Sequence, residues 1–153
     1  YALHEGSAGA GKTRGGFGLD YELELRNGEA RASFVMDHGR FGPQGALGGK
    51  DGDVNKVIVL RGETSYVPKH LSKEQDIALA PGDRVWVRTP GGGGYGDPLQ
   101  RSIDAVLEDV RLERYSLAQA HDFYGVVLFK RDGSLFVDEG ATCESRSKMK
   151  RSS

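Results

Sequence analysis

Apolar and acidic residues alternate strictly over Leu19 to Leu25 (LDYELEL), which marks the clearest strand in the chain. Alternation with period two is typical of a strand that buries one face. Asn27-Gly28 follows and favours a tight hairpin turn, because both turn positions need positive φ. We therefore predict a β-hairpin over residues 19–36. Its inner face would carry Leu19, Tyr21, Leu23, Phe34 and Met36.

Three more stretches before residue 90 have strand patterns. A strand is predicted over residues 54–61, in which four consecutive apolar residues, 57–60, favour burial on both faces. A shorter strand is predicted over 64–67, and a further strand over 84–89 follows a Pro-Gly-Asp turn. Residues 71–80 have no clear period, and we predict a loop there.

Helical periodicity begins only after residue 100. Apolar residues at i, i+3, i+4 and i+7 predict a helix over 103–113 with Ser102 as its N-cap. Ser116 and Gln119 match the capping-box pattern S-x-x-Q and predict a second helix over 117–124. A second hairpin is predicted over 126–137, around Asp-Gly.

Together these patterns predict a mainly β fold of the α+β class. Antiparallel β-hairpins would form a barrel-like or sandwich-like core, with a short helical pair packed on it near the C-terminus. Residues 1–143 are expected to form one β-rich domain. Residues 144–153 are rich in Ser, Lys and Arg, so we expect a basic, disordered tail, or one that is helical only in company.

Composition narrows the possible partners. The 153 residues include 21 basic and 22 acidic side chains, so there is no electrostatic case for nucleic acid or an anionic membrane. The single cysteine, Cys143, excludes an internal disulfide framework and a cysteine-based zinc cluster. No apolar run reaches the roughly 18 residues that span a bilayer. With no signal peptide in the first residues, a cytoplasmic location is expected.

Two glycine patterns suggest nucleotide binding, but both lack the required context. Residues 6–13 (GSAGAGKT) match the phosphate-loop pattern, yet no buried strand precedes them and three glycines oppose a helix after them. Gly91, Gly93 and Gly96 match the dinucleotide pattern G-x-G-x-x-G. Asp97-Pro98 then stands where the helix should begin, and hairpins rather than βαβ units surround it.

Asp37, His38 and Arg40 form the densest cluster of chemically capable side chains. Asp and His could bind a metal, or act as a general base and the group that orients it. No second His or carboxylate lies at helical spacing nearby, so we predict no metal site. A structural ion pair or turn is the favoured interpretation.

Residues 89–98 (TPGGGGYGDP) are the most distinctive stretch, since such a run occurs once and glycine makes up 23 of the 153 residues. Together with residues 6–18, the segment MDHGRFGPQGALGGK, YGVVL and the closing DGSLFVDEGAT, the run resembles the C-terminal part of the hydantoinase B/5-oxoprolinase family. Acetone and acetophenone carboxylase subunits belong to the same broad group. The resemblance covers residues 6 to 142.

The resemblance implies an ATP-dependent enzyme that opens a cyclic amide such as a hydantoin or 5-oxoproline. Family members are several times longer than this chain, which would be a C-terminal fragment, inactive alone. Its partners would be the missing N-terminal part and a hydantoinase A-type subunit. ATP and a divalent metal are implied for the full complex, with no cofactor bound by these residues. A non-catalytic assembly module and a carboxylase subunit remain open alternatives.

No catalytic residue is carried over from the family. On this interpretation Arg14, Asp37, His38 and Arg40 are candidates for the border of the substrate path. The glycine run and its neighbours are candidates for a structural or interface role: Gly91, Gly92, Gly93, Gly94, Tyr95, Gly96 and Asp97.

Overall fold

The computed structural model describes residues 1–151, which form nine strands and three helices. The strands are β1 (Ala2–Leu3), β2 (Leu19–Glu24), β3 (Ala30–Val35), β4 (Lys56–Arg61), β5 (Thr64–Tyr66), β6 (Lys73–Leu79), β7 (Arg84–Arg88), β8 (Leu128–Arg131) and β9 (Ser134–Val137). The helices are α1 (Ile103–Arg111), α2 (Leu117–Tyr124) and α3 (Glu139–Arg151).

Two antiparallel sheets face each other across the first core. One sheet has five strands in the order β1-β2-β7-β4-β5, and the other pairs β3 with β6. Buried side chains from β4, β7 and β6 fill the space between them: Val57, Val59, Val85, Val87 and Ile77. The α+β class with an antiparallel, sandwich-like core is therefore confirmed, and within the described residues the sheet does not close into a barrel.

The predicted hairpin over 19–36 is wrong, although both of its strands exist. β2 pairs with β7, whereas β3 pairs with β6 in the opposite sheet. The turn after β2 instead lies against the turn between β6 and β7. Leu25 N–H donates to Asp83 O (2.9 Å), and Gly82 N–H donates to Leu25 O (2.8 Å). The β2–β3 connection and the β6–β7 connection therefore both cross from one sheet to the other. The pairing of β2 and of β3 is determined by the distant strands β7 and β6 rather than by the Asn-Gly turn.

The predicted inner face is correct in part. Tyr21, Phe34 and Met36 pack against the core between the sheets. Leu19 and Leu23 remain 44% and 56% exposed. The reason is that a two-stranded layer cannot cover the whole of a five-stranded sheet.

The loop predicted over 71–80 is also wrong, because residues 73–79 form β6. The pairing with β3 shifts register between Ala32 and Phe34, and Asp76 opposite this shift has a φ of 65°. Asp76 N–H donates to the Ser33 hydroxyl (3.1 Å). This irregularity breaks the period-two pattern, so the strand could not be recognised from alternation.

The helical pair forms as predicted, with α1 ending two residues early. Ser102 accepts a hydrogen bond from Ala105 N–H, and Ser116 and Gln119 form both bonds of the capping box. Gly125 ends α2 with a φ of 63°. The pair packs with the predicted hairpin, now β8 and β9, around a second core whose largest buried side chains are Tyr115 and Tyr124.

The tail is helical rather than disordered over residues 144–151, which belong to α3; residues 152–153 lie outside the described range. Packing supplies the reason. Arg146 Nε donates to Tyr124 O (2.9 Å) and its Nη2 donates to Arg101 O (2.8 Å). The Thr142 hydroxyl, itself buried, accepts from Val127 N–H (3.0 Å). The helix thereby supplies a donor to the Tyr124 carbonyl at the end of α2 and another to the Arg101 carbonyl just before α1.

Candidate functional site

Three glycine-rich segments, residues 6–18, 42–53 and 91–96, pack backbone against backbone, and we call them the glycine framework. Direct hydrogen bonds join all three: Gly9 N–H to Gly92 O (2.8 Å), Gly94 N–H to Lys50 O (2.8 Å) and Lys50 N–H to Ala10 O (2.7 Å). The framework lies between the two cores. Ala10 belongs to the second core, and β7, which contributes Val85 and Val87 to the first core, leads into residues 91–96.

Glycine is required in the framework because neighbouring backbone occupies the place of a side chain. A Cβ on Gly91 would lie 2.0 Å from Ser7 O, and one on Gly94 would lie 2.1 Å from Ala10 O. One on Gly93 would lie 2.1 Å from the carbonyl oxygen of residue 44. The structure therefore places the centre of the glycine run inside the protein's own packing.

The other predicted members of this stretch lie at its edge. The Tyr95 backbone exchanges hydrogen bonds with Thr13 (2.8 and 3.0 Å), while the residue as a whole is 56% exposed. Gly96 has a φ of 75°. Asp97 accepts a hydrogen bond from Leu99 N–H (2.8 Å) and so caps the short 3-10 turn over Pro98–Gln100.

Residues 6–13 do not form a phosphate loop. Several of their backbone donors are already used by protein carbonyls: Gly6 N–H to Arg114 O (3.2 Å), Gly9 N–H to Gly92 O (2.8 Å), Lys12 N–H to Gly96 O (3.2 Å) and Thr13 N–H to Tyr95 O (3.0 Å). A phosphate cradle needs such donors free and a helix behind them. Residues 14–18 contain no helix.

The dinucleotide pattern fails for the same two reasons. Gly92, Gly94 and Gly96 donate their N–H groups to the carbonyls of residues 16, 50 and 46. The next α-helix begins only at Ile103. Within residues 1–151, no α-helix begins directly after the glycines of this pattern, so the pyrophosphate site of that motif is not built.

Arg14 lies in a buried ion cluster that sequence reasoning missed. Its Nε and Nη2 donate to the two carboxylate oxygens of Asp109 (3.0 and 3.1 Å). Arg101 and Arg114 reach the same carboxylate at 2.8 and 3.3 Å. Burial alone would raise the pKa of Asp109, but the hydrogen bonds and charges of the arginines, Arg14 first, outweigh it and hold that pKa below its ordinary value. Asp109 thus stays ionised and ties the framework to α1.

Asp37, His38 and Arg40 lie together on one wall of a pocket of about 440 Å³. The opposite wall comes from the residues that lead into β6, and its charged or titratable members are Lys69, His70 and Lys73. We call these six residues the cationic pocket. Arg14 does not line it, so the structure separates that candidate from the other three.

Two hydrogen bonds at Ser72 hold the walls of the cationic pocket together. Met36 N–H donates to Ser72 O (3.1 Å), and the buried Ser72 hydroxyl donates to Met36 O (3.0 Å). Gly39 packs against this serine so closely that a Cβ would lie 2.6 Å from its hydroxyl oxygen. The pairing of β3 with β6 therefore determines which residues face each other in the pocket.

Asp37 and His38 do not form a base and its orienting partner. Asp37 accepts a hydrogen bond from Lys73 Nζ (2.8 Å), which is the main reason that the pKa of Asp37 is lowered. His38, with a φ of 61°, has its Nδ1 3.2 Å from Phe41 O. Because a carbonyl oxygen only accepts, this nitrogen carries the proton and the other ring nitrogen faces away from that bond.

Lys69, His70 and Lys73 could not be assigned to a site from the sequence. They lie beside residues 37–40 because β3 pairs with β6, and residues 71–80 had no strand pattern. The sequence offered one signal for this wall, namely that Lys69 and His70 come shortly before β6, but that strand was not recognised.

Residues 1–151 contain no group of three or more His, Cys, Asp or Glu side chains placed to hold a metal ion. The resemblance implies a divalent metal for the full complex. Among them, too, no helix combines the length and the apolar character required to cross a membrane.

Comparison with known proteins agrees with the resemblance. The profile of the Hydantoinase B/oxoprolinase family matches residues 1–98. The beta subunit of caprolactamase from Pseudomonas jessenii is 38% identical over 156 aligned positions, which cover 96% of this chain and 25% of that subunit. The chain therefore spans about a quarter of the length of this relative.

Solved structures share the fold. The crystal structure of ATP-dependent caprolactamase from Pseudomonas jessenii superimposes with a TM-score of 0.77 at 32% identity, covering 96% of this chain and 25% of that one. A nucleotide-free acetone carboxylase gives a TM-score of 0.80 at 21% identity, covering 99% and 24%. At that identity the second match shows the fold alone. The family profile and the caprolactamase match agree, and the chain belongs to the hydantoinase B/oxoprolinase family.

Proposed function

We propose that this chain is the C-terminal portion of a subunit of an ATP-dependent, cytoplasmic hydrolase that opens a cyclic amide ring. Its partners would be the N-terminal part of the same subunit and a hydantoinase A-type subunit. The observation that carries this proposal is the 38% identity to a caprolactamase beta subunit along 96% of the chain. The substrate would be a hydantoin, 5-oxoproline or a related lactam.

The proposed reaction adds water across the ring amide. The carbon–nitrogen bond breaks, the carbonyl carbon becomes a carboxylate, and the nitrogen stays attached to the opened chain and takes up a proton, as an amine from a lactam or as a urea nitrogen from a hydantoin. Hydrolysis of ATP to ADP and phosphate supplies the driving force. We place nucleotide and metal binding outside these residues, and the occupied N–H groups of residues 6–13 support this for the phosphates.

In this proposal the chain contributes a rigid wall and one polar pocket. The polar groups of the glycine framework and of the Arg14–Asp109 pair bond to one another within the chain, as expected for a rigid structural wall. The cationic pocket keeps charged side chains at the surface, which suits a border of the substrate path. The internal use of polar groups also supports the second candidate, an assembly module with chemistry wholly elsewhere.

The test uses the longer protein that carries this chain, co-purified with its A-type subunit. Phosphate release and ring opening are measured together with 5-oxoproline, hydantoin and caprolactam, each with and without ATP. We expect ring opening with one of these compounds, coupled to phosphate release and absent without ATP. Omission of the A-type subunit is the control for partner dependence.

A parallel reaction with acetone and bicarbonate separates the carboxylase alternative from the hydrolase. Carboxylation without ring opening of any cyclic amide would overturn the proposal. Replacement of the Arg40 and His38 side chains separates the assembly module from a contributing wall, because an assembly module keeps full turnover in both variants.

A further inference from the structure

We propose that the cationic pocket binds a small oxyanion, a carboxylate or a phosphate, through Arg40 and Lys69. This inference concerns binding by residues 37–40 and 69–73 and does not depend on which ring the proposed enzyme opens. The pocket volume of about 440 Å³ is large enough for such an ion with part of the molecule that carries it.

The charges of the pocket are unbalanced. Its lining contains three permanent cations, Arg40, Lys69 and Lys73, and one carboxylate, Asp37. Asp37 is already paired with Lys73 at 2.8 Å. Arg40 and Lys69 therefore remain as positive charges without a carboxylate partner in the lining, and two imidazoles, of His38 and His70, stand beside them.

One further carboxylate lies next to the pocket lining, and both of its oxygens already accept a hydrogen bond. Glu74 follows the pocket lining and accepts hydrogen bonds from the Tyr66 hydroxyl and from Lys69 N–H. Its pKa is lowered mainly by the Tyr66 bond, with smaller effects of the charges on His70 and Lys69. Within the described residues, the side chains of Arg40, Lys69 and His70 make no hydrogen bond or ion pair. These donors are available to a ligand.

The backbone fixes the two available cations on facing walls. The Ser72 bonds hold Met36 beside the start of β6, and Asn55 N–H holds the His38 carbonyl at 2.8 Å. His38 and Leu71, one on each wall, both have a φ of 61°, which is costly for residues with a Cβ. Strain at two positions that line one pocket fits a site that is organised before its ligand arrives.

The chemistry of the donors favours oxygen anions. A guanidinium offers a planar pair of N–H groups that matches carboxylate or phosphate oxygens, and an ammonium adds a point charge. A neutral imidazole has a single N–H donor; that of His38 is already used by Phe41 O, so only His70 adds a donor. No comparable set of acceptors lines the pocket, so a cationic ligand would meet repulsion.

Titration of the ¹⁵N-labelled chain with inorganic phosphate, followed by two-dimensional NMR at constant ionic strength, tests the site. A second arm uses acetate and glutarate and identifies whether carboxylate or phosphate is preferred. We expect saturable shifts confined to amides of residues 37–41 and 69–73 in at least one arm. Arg40→Gln and Lys69→Gln should each weaken binding about tenfold, as expected for loss of a charge-assisted hydrogen bond.

Lys130→Gln is the matched control, because Lys130 is an exposed cation on β8 that does not line the cationic pocket. It should leave the affinity unchanged. The inference is overturned by shifts that fail to saturate with any of the three anions, or by equal weakening in Lys130→Gln and Arg40→Gln. Either result would mean that the anions associate with the protein only through non-specific attraction to its surface charge. Since the readout is binding, these outcomes are independent of any loss of enzyme turnover.

Discussion

Arg14 and Asp109, 95 positions apart in the sequence, form a bidentate ion pair with distances of 3.0 and 3.1 Å. The Asp109 side chain is only 3% exposed, and the Arg14 guanidinium also lies 4.5 Å from the centre of the Phe17 ring. This pair connects the glycine framework to the helical core. The pair gives Arg14 a structural contact that the sequence did not reveal; the sequence had placed it only among the candidates for the border of the substrate path.

Loss of the Asp109 carboxylate should destabilise the protein strongly. Asp109→Asn leaves Arg14, Arg101 and Arg114 without their shared counter-charge, and we expect a loss of about 3 kcal/mol in the free energy of unfolding. Urea unfolding followed by circular dichroism measures it. Asp104→Asn, at an exposed position of the same helix, should cost less than about 1 kcal/mol. Equal losses in the two variants would contradict a special role for the cluster.

The same carboxylate should make stability depend on pH in acid. The arginines hold the pKa of Asp109 below its ordinary value in the folded state, so its contribution is complete above the unfolded pKa of about 3.9. That contribution is lost as pH falls through the folded pKa. The difference in unfolding free energy between wild type and Asp109→Asn should be constant from neutral pH to mildly acidic pH and shrink below pH of about 4. A difference that grows on acidification would mean that burial raises this pKa instead.

Sequence patterns correctly predicted the parts of the fold that depend on interactions between residues close in sequence. The Ser102 cap, the capping box at Ser116 and the Gly125 end of α2 all formed, because each depends on residues within one turn. The partner of β2 could not be predicted in this way. Its choice of β7 over β3 depends on strands 60 residues away and on a turn that bonds to Leu25.

Only one part of the candidate site, the part formed by residues adjacent in sequence, could be predicted. One wall of the cationic pocket was recognised because Asp37, His38 and Arg40 are adjacent in sequence. The other wall depends on β6, whose alternation is broken at Asp76, so nothing in the sequence brought Lys69 or Lys73 to it. The contact of Arg14 with Asp109 could not be foreseen, because Asp109 lies in a helix whose pattern is simply amphipathic.

Glycines of the framework should differ sharply in their tolerance of alanine. A Cβ on Gly91 would overlap the Ser7 carbonyl at 2.0 Å, and backbone on both sides prevents retreat, so Gly91→Ala should cost about 3 kcal/mol. Gly16 is the matched control, since a Cβ there meets nothing within 4 Å. Thermal unfolding of both variants checks the contrast. Comparable melting temperatures would show that the framework can open to admit a methyl group.

The order of α3 should depend on Arg146. Its guanidinium donates to carbonyls of Tyr124 and Arg101, so Arg146→Ala should release the helix and speed amide hydrogen exchange over residues 139–151. Lys150→Ala removes an exposed cation from the same helix and should leave exchange unchanged. Slow exchange in Arg146→Ala would show that the helix needs no such anchor.

Arg40 and His38 should matter to turnover if the cationic pocket borders the substrate path. In the assembled complex, loss of the charged Arg40 donor in Arg40→Ala should lower kcat/KM by roughly tenfold to a hundredfold, the range that corresponds to one charge-assisted hydrogen bond. His38→Ala should have a smaller effect, because one ring nitrogen is already bonded to Phe41 O. Assembly with the A-type subunit is measured by size-exclusion chromatography in each variant, and Lys130→Ala serves as the exposed control. Wild-type turnover in both pocket variants, with normal assembly, would remove these residues from the mechanism and leave the chain as an assembly module.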